Sequence, residues 1–162
     1  MQDINSEIQK LADKIIRTME HKRQTIGTAE SVTGGGFAYN LTEIPGSSKV
    51  LKGGIVAYGD AIKIGLLGVN RETIDNCGVV SMEVAVEMAR GIRIRTASHF
   101  GIGVTGWAGP EGGDEFAPIG RVYWAIACPD GYFNLQLDLT GTRDQIRLQS
   151  IKRGMEFLIE YL

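Results

Sequence analysis

The sequence predicts an α/β fold: a single three-layer α/β/α domain over residues 1–162, whose sheet is mixed and mainly parallel. Three observations support this fold class. Helical and strand-like stretches alternate along the first two thirds of the chain, which is typical of a parallel sheet covered by helices. A hairpin pattern follows late and adds an antiparallel strand, and short groups of glycines separate many of the elements.

Two helices and two strands are predicted over residues 1–58. Apolar residues recur at helical spacing from Asp3 to His21, which indicates an amphipathic helix. A short strand is expected over Thr25–Ala29, and a helix over Phe37–Ile44 that the following Pro-Gly pair would end. Leu51–Tyr58 indicates a buried strand with two glycines inside it.

The next predicted elements are mostly helical. Short helices are expected over Asp60–Leu67 and Arg71–Asn76, and Ser81 can cap a longer helix that ends near Ala97. The apolar run Phe100–Thr105 then predicts another strand.

The last third predicts a hairpin and a closing helix. Residues 109–119 combine glycine, proline and acidic residues and are expected to form a loop. Strands over Arg121–Ala127 and Tyr132–Leu139 flank a Pro-Asp-Gly turn signal. Thr142 and Gln145 have the spacing of a capping box at the start of the last helix.

Composition excludes several functional classes. The formal net charge of −2 provides no general surface for nucleic acid. The two cysteines and two histidines lie far apart in sequence, so a zinc site is not expected. The chain lacks a signal-peptide core and an apolar run long enough to span a membrane. These features predict a cytoplasmic protein without a membrane partner.

Three segments occupy positions where an α/β sheet usually binds its ligands, at strand ends that lead into loops and helices. They are Glu30–Gly36, Thr105–Gly113 and Thr140–Arg143. The first and third lead into helices, whose free backbone N–H groups can bind a phosphate. The first segment has neither the Walker nor the dinucleotide-binding spacing, so its pattern indicates only an anion site.

A hydrolase built on these segments would need a serine activated without histidine. Both histidines lie outside the glycine-rich segments, which leaves a Ser-Lys pair as the option. Lys63 is a candidate base because it follows an apolar strand and has apolar neighbours. A lysine acting as a base near neutral pH needs its pKa lowered by roughly three units, or about 4 kcal/mol.

Beyond these patterns, the chain resembles the CinA C-terminal domain family, whose members include nicotinamide mononucleotide deamidases. The resemblance spans the chain from Ala12 onward and rests on motifs that occur in the family's order. They are Thr28–Gly35 (TAESVTGG), Pro45–Ser48 (PGSS), Gly53–Tyr58 (GGIVAY), Lys63, Leu66–Val69 (LLGV), Gly78–Ser81 (GVVS), Val104–Pro110 (VTGWAGP) and Pro118–Tyr123 (PIGRVY).

The resemblance implies hydrolysis of the carboxamide of nicotinamide mononucleotide to nicotinate mononucleotide and ammonia, without metal or cofactor. In this reaction Ser48 would attack the carboxamide carbon, Lys63 would take its proton, and Tyr58 would assist the lysine. The implied substrate-binding residues are Glu30, Ser31, Thr33, Gly34, Gly35, Thr105, Gly106, Arg143 and Arg147. Among these, Arg143 would bind the phosphate, with Arg147 as a second ligand. The family also implies a homo-oligomer, with a dimer expected.

The chain departs from the family pattern at several positions close to the implied site. Val32 replaces the usual cysteine, and Asp60 and Ala61 replace the usual asparagine and glutamate before Lys63. The loop Glu111–Pro118 also lacks a lysine that often precedes its proline. A carboxylate at Asp60 would raise the pKa of Lys63 and oppose its action as a base.

Two alternative functions remain open at this point. The chain could be a nucleotide-binding protein of this family with weak or lost catalysis, or an amidase acting on a related pyridine nucleotide.

Overall fold

The computed structural model describes residues 3–162 and contains six helices and five strands within that range. The helices are α1 (Ile4–His21), α2 (Gly36–Thr42), α3 (Asp60–Leu67), α4 (Arg71–Cys77), α5 (Met82–Thr96) and α6 (Arg143–Ile159). The strands are β1 (Ile26–Glu30), β2 (Leu51–Val56), β3 (Phe100–Gly106), β4 (Arg121–Cys128) and β5 (Gly131–Asp138).

All five strands form one mixed sheet in the order β2-β1-β3-β4-β5. Strand β1 lies parallel to both β2 and β3, whereas β4 pairs antiparallel with β3 and β5. Among the described residues β4 is therefore the one strand that runs opposite to the others. This topology confirms the predicted mixed, mainly parallel sheet.

Helices cover both faces of the sheet and produce the three predicted layers. Helices α1, α2 and α6 enclose the larger core on one face, where the rings of Phe37 and Trp124 pack with centroids 5.3 Å apart. Helices α3, α4 and α5 cover the other face and enclose two smaller clusters.

Helix α5 lies unusually close to β3 because this strand carries glycines where the helix crosses it. A Cβ atom on Gly101 would lie 2.1 Å from the carbonyl oxygen of Ala89, and one on Gly103 would lie 2.2 Å from that of Ala85. Real Cβ atoms do not approach an oxygen so closely. Only glycine therefore permits this helix–strand distance.

The predicted helix starts are confirmed by their caps. The side chain of Asp3 accepts a hydrogen bond from the N–H of Asn5, and that of Ser81 accepts from the N–H of Val84. Thr142 and Gln145 form the expected reciprocal capping box at the start of α6. These contacts satisfy N–H groups that have no partner within the first helical turn.

One finding corrects the sequence-based description of the fold. The stretch 51–58 is wrong as a fully buried strand: β2 ends at Val56 and lies at the sheet edge, where alternate side chains remain exposed. Such an edge strand has a neighbour on one side only. Within residues 3–162, no helix combines the length and apolar character needed to cross a bilayer.

Candidate active site

A cavity of about 190 Å³ opens where β1, β2 and β3 end. Because these strands are parallel, the loops that follow them meet at one edge of the sheet. The predicted site residues that line the cavity are Ser31, Tyr58, Lys63, Thr105, Gly106 and Arg143. Residues from four distant parts of the sequence thus form one site.

Lys63 is the most unusual group in this cavity because its side chain is only 1% exposed. It extends from α3 toward the ends of β1 and β2. Its Nζ atom donates hydrogen bonds to the carbonyl oxygens of Ala57 (2.8 Å) and Tyr58 (3.3 Å) and to the Oγ atom of Ser31 (3.2 Å). The structure therefore places Ser31 in direct contact with the buried amine.

Burial lowers the pKa of Lys63, and the negative charge of Asp60 raises it by less. The amine is surrounded by protein and has lost contact with water, and this desolvation disfavours its charged form. The carboxylate of Asp60 is exposed, so water screens its effect. Asp60 therefore raises the pKa of Lys63, as expected, but desolvation lowers it by more.

Ser48 does not lie in this cavity. It belongs to a 3₁₀ turn over Ser47–Lys49 that precedes β2, whereas Lys63 lies beyond the other end of that strand. The six residues of β2 span about 20 Å, so the two ends of this strand, and the loops beside them, lie about that far apart. The predicted Ser48–Lys63 pair is therefore wrong, because the two residues lie at opposite ends of β2. The serine beside Lys63 is Ser31.

Glu30 lies behind the cavity wall rather than in it. Its side chain is 1% exposed and accepts hydrogen bonds from the hydroxyl of Thr33 (2.6 Å) and from the N–H groups of Phe37 (2.8 Å) and Ala38 (3.0 Å). Burial raises the pKa of Glu30, and these three hydrogen bonds oppose the shift. The carboxyl thus caps α2, whose own N-cap residue, Gly35, has no side chain.

The other residues of this turn also have a structural place. Gly34 and Gly35 adopt φ values of 60° and 91°, in the left-handed region that favours glycine. They turn the chain from Ser31 into α2. Like Thr33 and Glu30, they do not line the cavity. Of the substrate-binding residues that the resemblance implies in this segment, Ser31 is the one that lines it.

Arg143 and Tyr58 meet at the mouth of the cavity. The guanidinium of Arg143 donates from Nη2 to the Tyr58 hydroxyl (2.7 Å) and from Nη1 to the carbonyl oxygen of Gly109 (2.8 Å). Tyr58 is 60% exposed, so its ring forms part of the rim rather than of the core. The pair joins the loops after β2 and β3 to the first turn of α6.

Arg147 and Thr105 differ in their relation to the cavity. Thr105 lines the cavity, and its hydroxyl donates to the carbonyl oxygen of Val79 (3.0 Å). Arg147 lies one turn after Arg143 on α6, outside the cavity lining. It donates instead to the carbonyl oxygens of Val32 (3.2 Å) and Thr33 (3.3 Å).

Sequence reasoning missed several residues of the cavity wall. Asp60 and Glu111 contribute carboxylates, and Trp107 contributes an indole whose buried Nε1 has no acceptor within residues 3–162. Trp107 and Glu111 fall in the segment 105–113, which the strand-end argument had already selected. Val79 and Val80 also line the cavity; they fall in the motif Gly78–Ser81, to which sequence reasoning assigned no role in the site.

The geometry permits one kind of chemistry directly. A serine hydroxyl contacts a buried amine of lowered pKa, an arrangement in which the neutral amine can accept the hydroxyl proton. No group of three or more His, Cys, Asp or Glu side chains in the described part of the chain could hold a metal ion.

Comparison with known proteins places these features in a family. The model of the CinA C-terminal domain matches residues 8–162. A putative competence-damage inducible protein of Halothermothrix orenii is 42% identical over 153 residues, which cover 94% of this chain and 37% of that protein. A CinA-like protein of Gloeothece citriformis is 50% identical over 138 residues, covering 83% of this chain and 33% of the relative. The chain thus spans about a third of the length of these relatives.

Solved structures share this fold. The competence/damage inducible protein CihA from Agrobacterium tumefaciens superposes with a TM-score of 0.92 at 38% identity, covering 95% of this chain and 94% of that one. A CinA superfamily protein from Escherichia coli superposes with a TM-score of 0.94 at 26% identity, covering 100% and 94%.

Proposed function

Because this chain belongs to the CinA C-terminal domain family, we propose that it is an amidohydrolase that converts nicotinamide mononucleotide to nicotinate mononucleotide and ammonia. The observation that carries the proposal is the 3.2 Å contact between Lys63 Nζ and Ser31 Oγ inside the cavity. Burial and a lowered pKa make this lysine suited to act as a base.

In the first half of the reaction, neutral Lys63 takes the hydroxyl proton of Ser31 as Oγ bonds to the carboxamide carbon. The resulting tetrahedral intermediate collapses, the C–N bond breaks, and protonated Lys63 returns its proton to the departing ammonia. A Ser31 ester of the nicotinate nucleotide remains. This use of one group as base and then acid is the usual logic of a serine nucleophile.

In the second half, a water molecule replaces ammonia. Lys63, neutral again, takes a proton from the water as its oxygen attacks the ester carbon, and the C–O bond to Ser31 breaks. Lys63 then returns the proton to Ser31 Oγ, and the carboxylic acid product leaves and gives its own proton to the released ammonia or to water. One water is consumed and one ammonia is released for each turnover.

We place the phosphate of the substrate at the rim of the cavity. Arg143 lies at the first position of α6, a helix of 17 residues, where backbone N–H groups and the helix dipole favour an anion. Its two observed hydrogen bonds leave other guanidinium N–H groups free for phosphate oxygens. We therefore assign Arg143 as the phosphate ligand.

The alternative function is binding of the nucleotide with weak or lost catalysis. Asp60 favours this alternative, because its carboxylate raises the pKa of Lys63 and so reduces the fraction of neutral amine. Retained binding without ammonia release would support it.

The proposal is tested by measuring ammonia release from nicotinamide mononucleotide by the wild type and by three variants. Ser31→Ala and Lys63→Met are expected to lower kcat by about 10³-fold or more, because each removes half of the reacting pair. Ser48→Ala is the matched control and is expected to keep wild-type kcat, since Ser48 lies at the other edge of the sheet.

Two results would contradict the assignment. Loss of activity in Ser48→Ala with retention in Ser31→Ala would make Ser48 the nucleophile. Full activity in Lys63→Met would remove the lysine from the mechanism.

A further inference from the structure

The turn that carries Ser31 is held from α6 by a single guanidinium. Arg147 donates from Nε to the carbonyl oxygen of Val32 (3.2 Å) and from Nη2 to that of Thr33 (3.3 Å). Arg147 is half-buried, and a Cβ atom on Gly34 would lie 3.2 Å from its Nη2 atom. The two consecutive carbonyls after Ser31 thus face one planar donor group, which fixes their orientation better than a single contact would.

The same turn presents two backbone N–H groups without acceptors. Within residues 3–162, neither the N–H of Val32 nor that of Thr33 donates a hydrogen bond to protein. The carbonyl oxygen of Ser31 accepts from the N–H of Gly34 at 2.9 Å. Since the C=O and N–H of a trans peptide point to opposite sides, the N–H of Val32 points away from this turn, and that of Thr33 points away from Arg147.

Val32 follows Ser31 directly and lines the same cavity. A backbone N–H on the residue after a nucleophile is well placed to bind the oxyanion of a tetrahedral intermediate. We propose that the N–H of Val32 is the oxyanion donor of this site and that Arg147 is the positioning residue that holds it, rather than a ligand of phosphate. That the reacting carbonyl belongs to a carboxamide rests on the proposed function.

The contacts of Arg147 argue against the phosphate role implied by the family resemblance. Two of its nitrogens are engaged with the turn, and its side chain is absent from the cavity lining, whereas Arg143 is part of it. A phosphate bound by Arg147 would have to compete with the carbonyls of Val32 and Thr33.

The first test separates these roles by steady-state kinetics with nicotinamide mononucleotide. Arg147→Gln is expected to lower kcat by about tenfold to 10²-fold with KM within about twofold, because a displaced turn weakens only interactions made in the transition state. Arg147→Lys keeps the charge but cannot serve both carbonyls as a planar fork, so it should recover kcat only in part. Arg153→Gln, an exposed change on the same helix, is the control and should match the wild type.

A second readout does not depend on the identity of the substrate. Phenylmethylsulfonyl fluoride reacts with an activated serine: Ser31 Oγ bonds to sulfur, fluoride leaves, and Lys63 takes the hydroxyl proton. The sulfonyl oxygen occupies the oxyanion position during this step. Arg147→Gln should therefore slow labelling of Ser31, followed by intact mass, by about tenfold or more relative to Arg153→Gln.

The outcomes distinguish this inference from the proposed function. Slower labelling in Arg147→Gln supports the positioning role even if the wild type does not hydrolyse the nucleotide, a result that would overturn only the substrate. A raised KM with unchanged kcat would make Arg147 a phosphate ligand and overturn the inference. Equal labelling rates in Arg147→Gln and Arg153→Gln, or no labelling of Ser31 in the wild type, would also overturn it. If Arg147→Gln does not fold, Arg147→Lys is judged by the same criteria.

Discussion

At the scale of single residues, two opposing effects set the pKa of Lys63: burial lowers it and the charge of Asp60 raises it. Its Nζ atom is buried against two carbonyls and the Ser31 hydroxyl, whereas the Asp60 carboxylate lies in water. Coulomb interactions weaken in proportion to the dielectric constant, while desolvation acts in full on a buried group. The pKa of Lys63 is therefore lowered despite the neighbouring carboxylate.

This balance predicts a pH dependence of the amidase reaction. Activity should rise with pH as Lys63 loses its proton, because the neutral amine is the base. Asp60→Asn removes the group that raises the pKa of Lys63, so the rising limb should move to lower pH and the rate below that limb should increase. The measurement is kcat/KM between about pH 5 and about pH 10.

The control for this prediction is Asp75→Asn, which changes an exposed carboxylate on α4 that is paired with Arg71 and should leave the profile unchanged. A limb that moves to higher pH in Asp60→Asn would contradict the assignment of Lys63 as the base.

At the scale of secondary-structure elements, the packing of α5 on β3 depends on positions without side chains. Helix α5 crosses the strand where Gly101 and Gly103 leave room for its backbone carbonyls. The same strand ends in Thr105 and Gly106, which line the cavity. The distance between α5 and β3 therefore sets the position of one wall of the site.

Gly103→Ala is expected to destabilise the fold by about 1–3 kcal/mol, because its Cβ would meet the Ala85 carbonyl and force α5 outward. Gly65→Ala, on α3, is the matched control: a Cβ there meets no heavy atom within 4 Å. That substitution should stabilise the protein by about 0.4–1 kcal/mol through a less flexible unfolded chain. Urea unfolding measures the free energy of unfolding of both variants. Equal changes in this free energy would contradict the proposed role of Gly103.

At the scale of the whole molecule, the cavity joins elements that are distant in sequence. Ser31 follows β1, Tyr58 follows β2, Thr105 ends β3 and Arg143 begins α6. If a nucleotide binds there as proposed and contacts all four regions, its binding free energy should appear as stability of the entire fold. The dimer expected from the family resemblance stays a prediction.

Ser31→Ala permits this linkage to be measured without turnover. Nicotinamide mononucleotide at about 100 times its Kd should raise the free energy of unfolding of this variant by about 2.7 kcal/mol. The corresponding rise in Tm is roughly 5–10 °C for a chain of this size. Adding Arg143→Gln should reduce the rise at the same ligand concentration, whereas adding Arg153→Gln should not. An undiminished rise with Arg143→Gln would remove Arg143 from the phosphate site.

Most of the fold follows from short-range patterns. The helix starts at Asp3, Ser81 and Thr142 are fixed by caps that involve only the next few residues. The order of strands and helices predicted the layers, and the Pro-Asp-Gly turn predicted the β4–β5 hairpin. The exposure of β2 escaped this reasoning, because whether a strand lies at an edge depends on the order of strands and not on its own residues.

The candidate site, like the fold, follows partly from the sequence and partly from the tertiary structure. By itself the sequence determined three of the segments that contribute to the cavity, the family and the candidacy of Lys63. Only the tertiary structure decided that Ser31, rather than Ser48, contacts this lysine. The physical reason is the parallel pairing of β1 with β2: it brings the residue after β1 to the same edge as Lys63, while Ser48, although closer to Lys63 in sequence, precedes β2 and is held at the other end.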